Sequence, residues 1–208
     1  MPRVLKSLAD ASKHFQRAED KREKILKDSR DVISNCSKAI VSVHTGDPKS
    51  AELLIFKARE GLKNLRDISK GEMDRYLTSP ETEFVEAETI YRLALGRQIP
   101  GMEDLNVQPE SYVLGLLDAV GEARRRLYDS VRIGKLDEAE RLFETMESFY
   151  VLIKPLAIFD HVVPGLRRKL DVARGILEDA RSLLTEESRR TKLLKTMRSL
   201  EEKLNDRK

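Results

Sequence analysis

Apolar residues recur along most of this chain at intervals of three and four, the spacing that places them on one face of an α-helix. In the N-terminal segment, Leu8, Phe15, Ile25, Val32 and Ile40 follow this period. No stretch shows the sustained apolar–polar alternation, rich in Val, Ile and Thr, that predicts a β-strand. The pattern therefore predicts an all-α protein.

Turn-forming residues separate the periodic segments. Thr45-Gly46-Asp47-Pro48 is expected to end the first helix, and Gly96 the third. Ser79-Pro80 predicts an N-cap and the first residue of the third helix, and Thr185 predicts the N-cap of the last one. The predicted helices cover about residues 4–44, 49–69, 80–95, 110–132, 136–152, 164–184 and 185–205.

These segments predict a single-domain bundle of about seven helices over residues 1–208. Two boundaries stay open: the second helix either ends near Ser69 or continues to about Leu77, and the apolar segment 155–163 fits no one class. The first helix would be about 60 Å long at 1.5 Å per residue. Because that is long for a compact monomer of this size, we expect another subunit to bury its exposed apolar residues.

The composition narrows the function classes. Cys36 is the one cysteine, so no intramolecular disulfide can form, and we expect a protein of the reducing cytoplasm. We expect neither a signal peptide nor a membrane span, because no apolar run approaches the roughly 20 residues that a span requires. Nucleotide-binding glycine loops, an HExxH zinc motif and a GxSxG nucleophile are absent from the sequence.

The net charge of +3 conceals an asymmetry. Residues 1–38 carry a net charge of +4 and residues 165–208 one of +5, whereas residues 39–164 carry −6. Basic ends attract an anionic polymer, and an acidic centre attracts cations.

Basic residues form one ridge along the first helix and one cluster in GLRRKLD. Such groups bind phosphates without reading base identity, and few aromatic residues are available for base stacking. The interleaved acids Asp20, Glu23 and Asp28 leave open the alternative of a solvated face held by ion pairs. The candidate nucleic-acid-binding residues are Lys13, Arg17, Lys21, Lys24, Arg167, Arg168 and Lys169.

Two pairs of carboxylates at helical spacing are the strongest candidates for chemistry. Glu83 and Glu86 lie in EFVEAETIY, and Asp118 and Glu122 lie in YVLGLLDAVGE. A separation of three or four residues puts both members of a pair on one helix face. If the four carboxylates converge, they suit a Mg²⁺ site for phosphodiester chemistry.

A helical projection places Glu83 on the apolar face of its helix and Glu86 near the edge of that face. A carboxylate directed toward a core is costly unless a cation or a donor meets it. Glu81 and Glu88 project to the side and are expected to be ordinary helix acids.

Asp118 and Glu122 share a polar face with Gly115. A glycine there would let another helix, a metal or a phosphate approach. The alternative is a solvated face on which Glu122 pairs with Arg125 or Arg126.

The block YVLGLLDAVGEARRRLYDSVRIGKLDEA resembles the central signature of the translin/Trax family, roughly Tyr-Leu-Leu-Gly, then Asp-Leu-x-Gly-Glu, then Asn-Ser-Val-x-x-Gly-Asp. Asp129 stands where Asn is usual, and Lys135 where Asp is usual. KREKILKDSRDVISNCSKAIVSVH and GLRRKLDVARGILEDAR are similar to the family's first helix and to its late Leu-Arg-Lys-Arg-Tyr-Asp helix, with Leu170 in place of Tyr. The residues that match the central signature are Tyr112, Gly115, Asp118, Gly121, Glu122, Ser130, Val131 and Gly134.

The resemblance covers about residues 15–185 and points to the Trax type of subunit, which is nuclease-competent, whereas translin subunits mostly are not. The Trax-type pattern Glu-Tyr-Val-Glu-Ala corresponds to residues 83–87, and its partner Asp-x-x-x-Glu corresponds to Asp118 and Glu122. The small size, without Trax-type insertions, fits an archaeal homologue.

The resemblance implies a helical subunit of a closed homo-oligomeric shell, an octamer, that cleaves single-stranded RNA with Mg²⁺ or Mn²⁺. The four carboxylates would then be both metal ligands and catalytic residues. One alternative is a non-catalytic shell that binds single-stranded RNA or DNA. Another is a structural helical oligomer whose acids form ion pairs.

Overall fold

The computed structural model describes residues 1–205, and no β-strand occurs among them. This confirms the all-α prediction. Two 3₁₀ segments, Asp74–Tyr76 and Lys154–Phe159, accompany the α-helices. The second covers residues 155–159 of the apolar segment 155–163, for which the sequence predicted no class. The seven α-helices within residues 1–205 are α1 (Pro2–His44), α2 (Pro48–Ser69), α3 (Thr78–Ala94), α4 (Met102–Leu105), α5 (Pro109–Arg132), α6 (Leu136–Ile153) and α7 (Leu166–Asn205).

The boundaries of α2 follow from local turn chemistry. The Asp47 side chain accepts a hydrogen bond from the Ser50 backbone N–H at 3.1 Å, and Pro48 opens the helix. Lys70 and Gly71 adopt left-handed conformations with φ of 48° and 82°, which ends α2 at Ser69. The shorter of the two predicted alternatives is therefore the one that occurs.

Two predicted helix starts are wrong. The two helices predicted over 164–184 and 185–205 are one continuous helix, α7, which begins at Leu166. Within it the Thr185 hydroxyl donates to the Arg181 carbonyl at 2.8 Å. A threonine whose hydroxyl is satisfied by the carbonyl four residues back does not have to cap a new helix. Helix α3 begins at Thr78, so Pro80 lies inside its first turn, where a missing backbone N–H breaks no helical bond.

The chain forms two compact units, Met1–Gly115 and Leu116–Lys208, and α5 runs from the first into the second. In the first unit, α1, α2 and α3 pack on one another. Their apolar stripes meet in a core in which Cys36 and Phe84 are fully buried. The other large buried side chains of this core include Ile25, Val32, Ile55, Leu62, Leu65 and Ile90.

The second unit contains α5 from Leu116 onward, together with α6 and α7, which contact each other. Arg126 of α5 donates to Glu138 of α6 at 2.7 Å. Arg126 was one of the two predicted alternative partners of Glu122. The buried residues of this unit include Val120, Leu127, Leu142, Met146, Leu166, Leu170 and Leu177.

Both long helices extend beyond these cores. The first buried residue of α1 is Ile25, and the apolar side chains of Leu8 and Phe15 before it are 63% and 68% exposed. The last buried residue of α7 is Ala180, and Leu204 is 64% exposed. The burial of these ends by another subunit stays a prediction. No helix within residues 1–205 is both long enough and apolar enough to cross a membrane.

Candidate functional site

Helix α3 is buried around most of its circumference and holds the first carboxylate pair. Phe84, Val85 and Ala87 are fully buried, which fixes the rotation of the helix in the core of the first unit. Glu83 and Glu86 are half-buried and stand three residues apart on one face. Core packing thus holds two carboxylates on the part of α3 that stays accessible.

The negative charges of Glu83 and Glu86 act on Cys36 in the core. Cys36 of α1 is buried, and burial raises the pKa of its thiol. The negative charges of Glu83 and Glu86 raise that pKa further. The thiol is therefore neutral and is not an activated nucleophile. The two carboxylates together form a centre of negative potential near Cys36, and such a centre attracts a cation.

The prediction that Glu81 and Glu88 are ordinary helix acids is wrong, because both are 1% exposed. Glu81 accepts hydrogen bonds from Arg66 Nε and Nη2 at 3.2 and 3.1 Å and from the Gln108 backbone N–H at 3.0 Å. Glu88 accepts a hydrogen bond from Arg92 of the same helix at 2.8 Å and another from Arg59 of α2 at 3.4 Å. The two ion pairs flank the Glu83–Glu86 pair along α3 and tie the helix to its neighbours. The only feature of the sequence that could have indicated these buried ion pairs is an acid on the side of an otherwise apolar helix, with arginines on the preceding helix.

Replacing Arg66 with Met is expected to lower the free energy of unfolding by about 3 kcal/mol, because the buried Glu81 carboxylate would lose its cation. The same replacement at Arg174 is the control, since Arg174 and Glu178 form an exposed pair, 55% and 66% accessible, in which a loss below about 1 kcal/mol is expected. Urea denaturation measures both. Equal losses in the two variants would contradict a special role for the buried pair.

Gly115, the last residue of the first unit, brings the beginning of α5 against α3. A Cβ added at Gly115 would lie 2.6 Å from the Thr82 backbone oxygen and 2.6 Å from the Val85 Cβ. Real Cβ atoms do not approach other heavy atoms so closely, so this contact requires glycine. The sequence predicted that a helix, a metal or a phosphate could approach Gly115. The structure shows a helix there.

The second carboxylate pair lies on α5 within the second unit. Asp118 and Glu122 are half-buried and occupy successive turns of one face. The Lys169 ammonium of α7 forms an ion pair with Asp118 Oδ1. The two side chains are 33% and 28% exposed, so the pair is partly open to solvent.

The donor set fits Mg²⁺ in its chemistry. Within residues 1–205, no group of three or more His, Cys, Asp or Glu side chains is arranged to hold a metal ion. Mg²⁺, however, prefers oxygen ligands and is usually bound by one or two carboxylates together with waters and substrate phosphates. Each of the two pairs offers the one or two carboxylates that such a coordination shell takes from a protein.

The predicted basic ridge of α1 is solvent-exposed. Lys13, Arg17, Lys21 and Lys24 all lie on the helix surface. Lys21 makes an exposed ion pair with Glu72 at 3.4 Å, an interaction too weak to keep the lysine from a competing anion. The ridge is therefore accessible to a phosphate backbone.

The three cations of GLRRKLD have different surroundings. Arg167 Nε donates to the Ala157 carbonyl at 3.1 Å, which ties this side chain to the preceding 3₁₀ segment. Arg168 is exposed. Lys169 contacts Asp118, so the structure brings one predicted phosphate-binding residue to one predicted metal ligand.

Comparisons with known proteins extend over most of the chain. No family model matches it. An uncharacterized protein of Methanocaldococcus jannaschii, MJ0175, is 37% identical over 160 residues, which is 76% of this chain and 72% of that protein.

Solved structures of similar fold are of C3PO proteins. The crystal structure of AfC3PO superposes with a TM-score of 0.81 and 34% identity, covering 87% of this chain and 96% of that one. AfC3PO in complex with duplex RNA gives a TM-score of 0.79 and 33% identity over the same shares. Apo-NeC3PO gives 0.75 and 25% identity, covering 86% of this chain and 96% of that one.

Proposed function

This chain belongs to the translin/Trax family, and from that membership we propose that it is a Mg²⁺-dependent endoribonuclease that binds and cleaves RNA as a homo-oligomer. The observation that carries the proposal is the Glu83–Glu86 pair. A buried helix holds two half-buried carboxylates on one face, at the positions where the Trax-type pattern has its acids.

We assign the metal-binding and catalytic role to Glu83, Glu86, Asp118 and Glu122. A Mg²⁺ or Mn²⁺ ion bound there would supply polarisation of the scissile phosphate and stabilise charge on the leaving oxygen. The four carboxylates would hold the ion directly or through water, and one of them would orient the attacking water and accept its proton. Without a cation their charges repel a phosphate, so cleavage depends on a divalent ion.

RNA binding by phosphate contacts is supported by the exposed ridge of α1 and by the AfC3PO complex with duplex RNA. We assign these contacts to Lys13, Arg17, Lys21, Lys24 and the exposed Arg168. Such contacts do not read bases, so single-stranded DNA and duplex RNA are expected to compete for the same surface. Single-stranded RNA is the substrate that the family resemblance implies for cleavage.

The assembly we propose is a closed homo-oligomer, an octamer by family resemblance, in the cytoplasm. The exposed apolar residues at the start of α1 and the end of α7 support contacts between subunits, because exposed apolar side chains are unfavourable in water. The RNA would be cleaved inside the shell.

Purified protein incubated with labelled single-stranded RNA, with Mg²⁺ or with a chelator, tests the proposal when binding and cleavage are followed side by side. We expect the protein to retain RNA both with Mg²⁺ and with chelator, and this binding should weaken steeply as the salt concentration rises. Cleavage should occur only when Mg²⁺ is present. Retention with no cleavage under either condition would contradict the nuclease and favour the binding shell. No retention even at low salt would leave a structural oligomer.

The non-catalytic binding shell is the second candidate, and two observations favour it. Lys169 neutralises Asp118, and residues 1–205 contain no ready-made group of three metal ligands. A protein with this arrangement could bind RNA through α1 and use its acids only in ion pairs.

A further inference from the structure

The ion pair between Lys169 and Asp118 lies inside the second unit and joins α7 to α5. Lys169 is in the first turn of α7, between Leu166 and Leu170, which are 0% and 5% exposed. Ala119, the neighbour of Asp118, is fully buried. Core packing therefore fixes the two backbones, and the ammonium and the carboxylate meet at the partly open edge of that core.

The fold does not depend on this pair. Both side chains are about one-third exposed, and ion pairs so exposed contribute little to stability because water screens them. The buried leucines hold the first turn of α7 in place without the ammonium. A role of Lys169 at the site is a better explanation for its position than a role in folding.

We propose that Lys169 acts directly at the nuclease site: it competes with the divalent cation for Asp118 when RNA is absent and contacts an RNA phosphate when RNA is bound. This inference rests on the proposed function. It changes the assignment of Lys169 from a general backbone-binding cation, like Arg168, to a cation that acts on one carboxylate.

The chemistry of the ammonium allows both tasks. A lysine ammonium has three N–H donors, and Asp118 Oδ1 takes one of them. One-third of the side chain stays accessible, so the remaining donors can reach a phosphate oxygen. A cation and an ammonium repel each other at a shared carboxylate, so a phosphate that draws the ammonium toward itself eases metal binding.

Variants Lys169→Met and Lys169→Arg test the inference, with Lys195→Met as the control because Lys195 is an exposed lysine of the same helix. Mn²⁺ binding without RNA is measured by electron paramagnetic resonance, and RNA cleavage with Mg²⁺ is measured separately. Lys169→Met should bind Mn²⁺ about 3- to 10-fold more tightly, because a competing positive charge is gone. The same variant should cleave about 10- to 100-fold more slowly, because a charge-assisted phosphate contact is lost.

Lys169→Arg keeps the charge and should retain the Mn²⁺ affinity of the unaltered protein, as should Lys195→Met. An unchanged or weakened Mn²⁺ affinity of Lys169→Met would overturn the inference. So would tighter binding by Lys169→Arg, since the effect would then come from packing and not from charge. If the unaltered protein binds Mn²⁺ and cleaves RNA while Lys169→Met equals it in both, the inference fails and the nuclease stands. If the unaltered protein neither binds Mn²⁺ nor cleaves, the proposed function fails first.

Discussion

Replacing Glu83 with Gln, or Asp118 with Asn, is expected to lower Mg²⁺-dependent RNA cleavage by about 10³-fold or more, because a neutral amide is a poor ligand for Mg²⁺ and a poor proton acceptor. RNA binding in the presence of chelator should persist, since the assigned phosphate contacts lie on α1 and at Arg168. Removing a negative charge also reduces repulsion of the RNA. Single-turnover cleavage and filter binding of the same preparations measure the two properties.

Asp129→Asn is the matched control for Asp118→Asn. It makes the same chemical change on the same helix, at a residue that pairs with Arg132 at 3.0 Å. Its cleavage rate should stay within about twofold of the unaltered protein, because an exposed pair of this kind contributes little. Undiminished cleavage by the Glu83→Gln/Asp118→Asn double variant would rule out the assignment of the carboxylates. A loss in Asp129→Asn as large as in Asp118→Asn would show that charge anywhere on α5 matters, and not the site.

Gly115→Ala is expected to destabilise the protein by about 3 kcal/mol, as overpacking of a tight contact does. The new methyl group would meet the Thr82 backbone oxygen at 2.6 Å, and a backbone atom cannot rotate away as a side chain can. The part of α5 that belongs to the first unit and α3 would have to separate at this contact. Because α3 carries Glu83 and Glu86, we also expect a loss of cleavage beyond the loss of folded protein.

Gly121→Ala, on the same helix, is expected to stabilise the protein, whereas Gly115→Ala is expected to destabilise it. A Cβ added at Gly121 has no heavy atom within 4 Å. Alanine should therefore stabilise the helix by about 0.5–1 kcal/mol, since it removes the backbone freedom of glycine from the unfolded chain. Urea denaturation of both variants gives the comparison. The contact at Gly115 would be refuted if both alanines changed stability in the same direction by a similar amount.

The acids of α3 show how much of the burial of side chains can be predicted from the sequence. A projection of the helix placed Glu83 on the apolar face and Glu86 near its edge, whereas the structure leaves both half-buried. It also assigned Glu81 and Glu88 to an unremarkable side, yet these two are the buried ones. Their partners Arg66 and Arg59 come from α2, 15 and 29 residues earlier in the chain. A helix covered on nearly all sides has no single apolar face, so its own periodicity does not indicate which acids are buried.

Sequence by itself determined that this protein is all-α, where most of its helices begin and end, and which four carboxylates match the Trax pattern. These properties depend on side chains within a few residues of each other, because helix periodicity, capping and turn formation are local interactions. Tertiary structure alone decided that Gly115 packs on Thr82 and that Lys169 meets Asp118, 51 residues away. Such contacts depend on how helices distant in the chain cross one another, and spacing along one helix carries no information about that geometry.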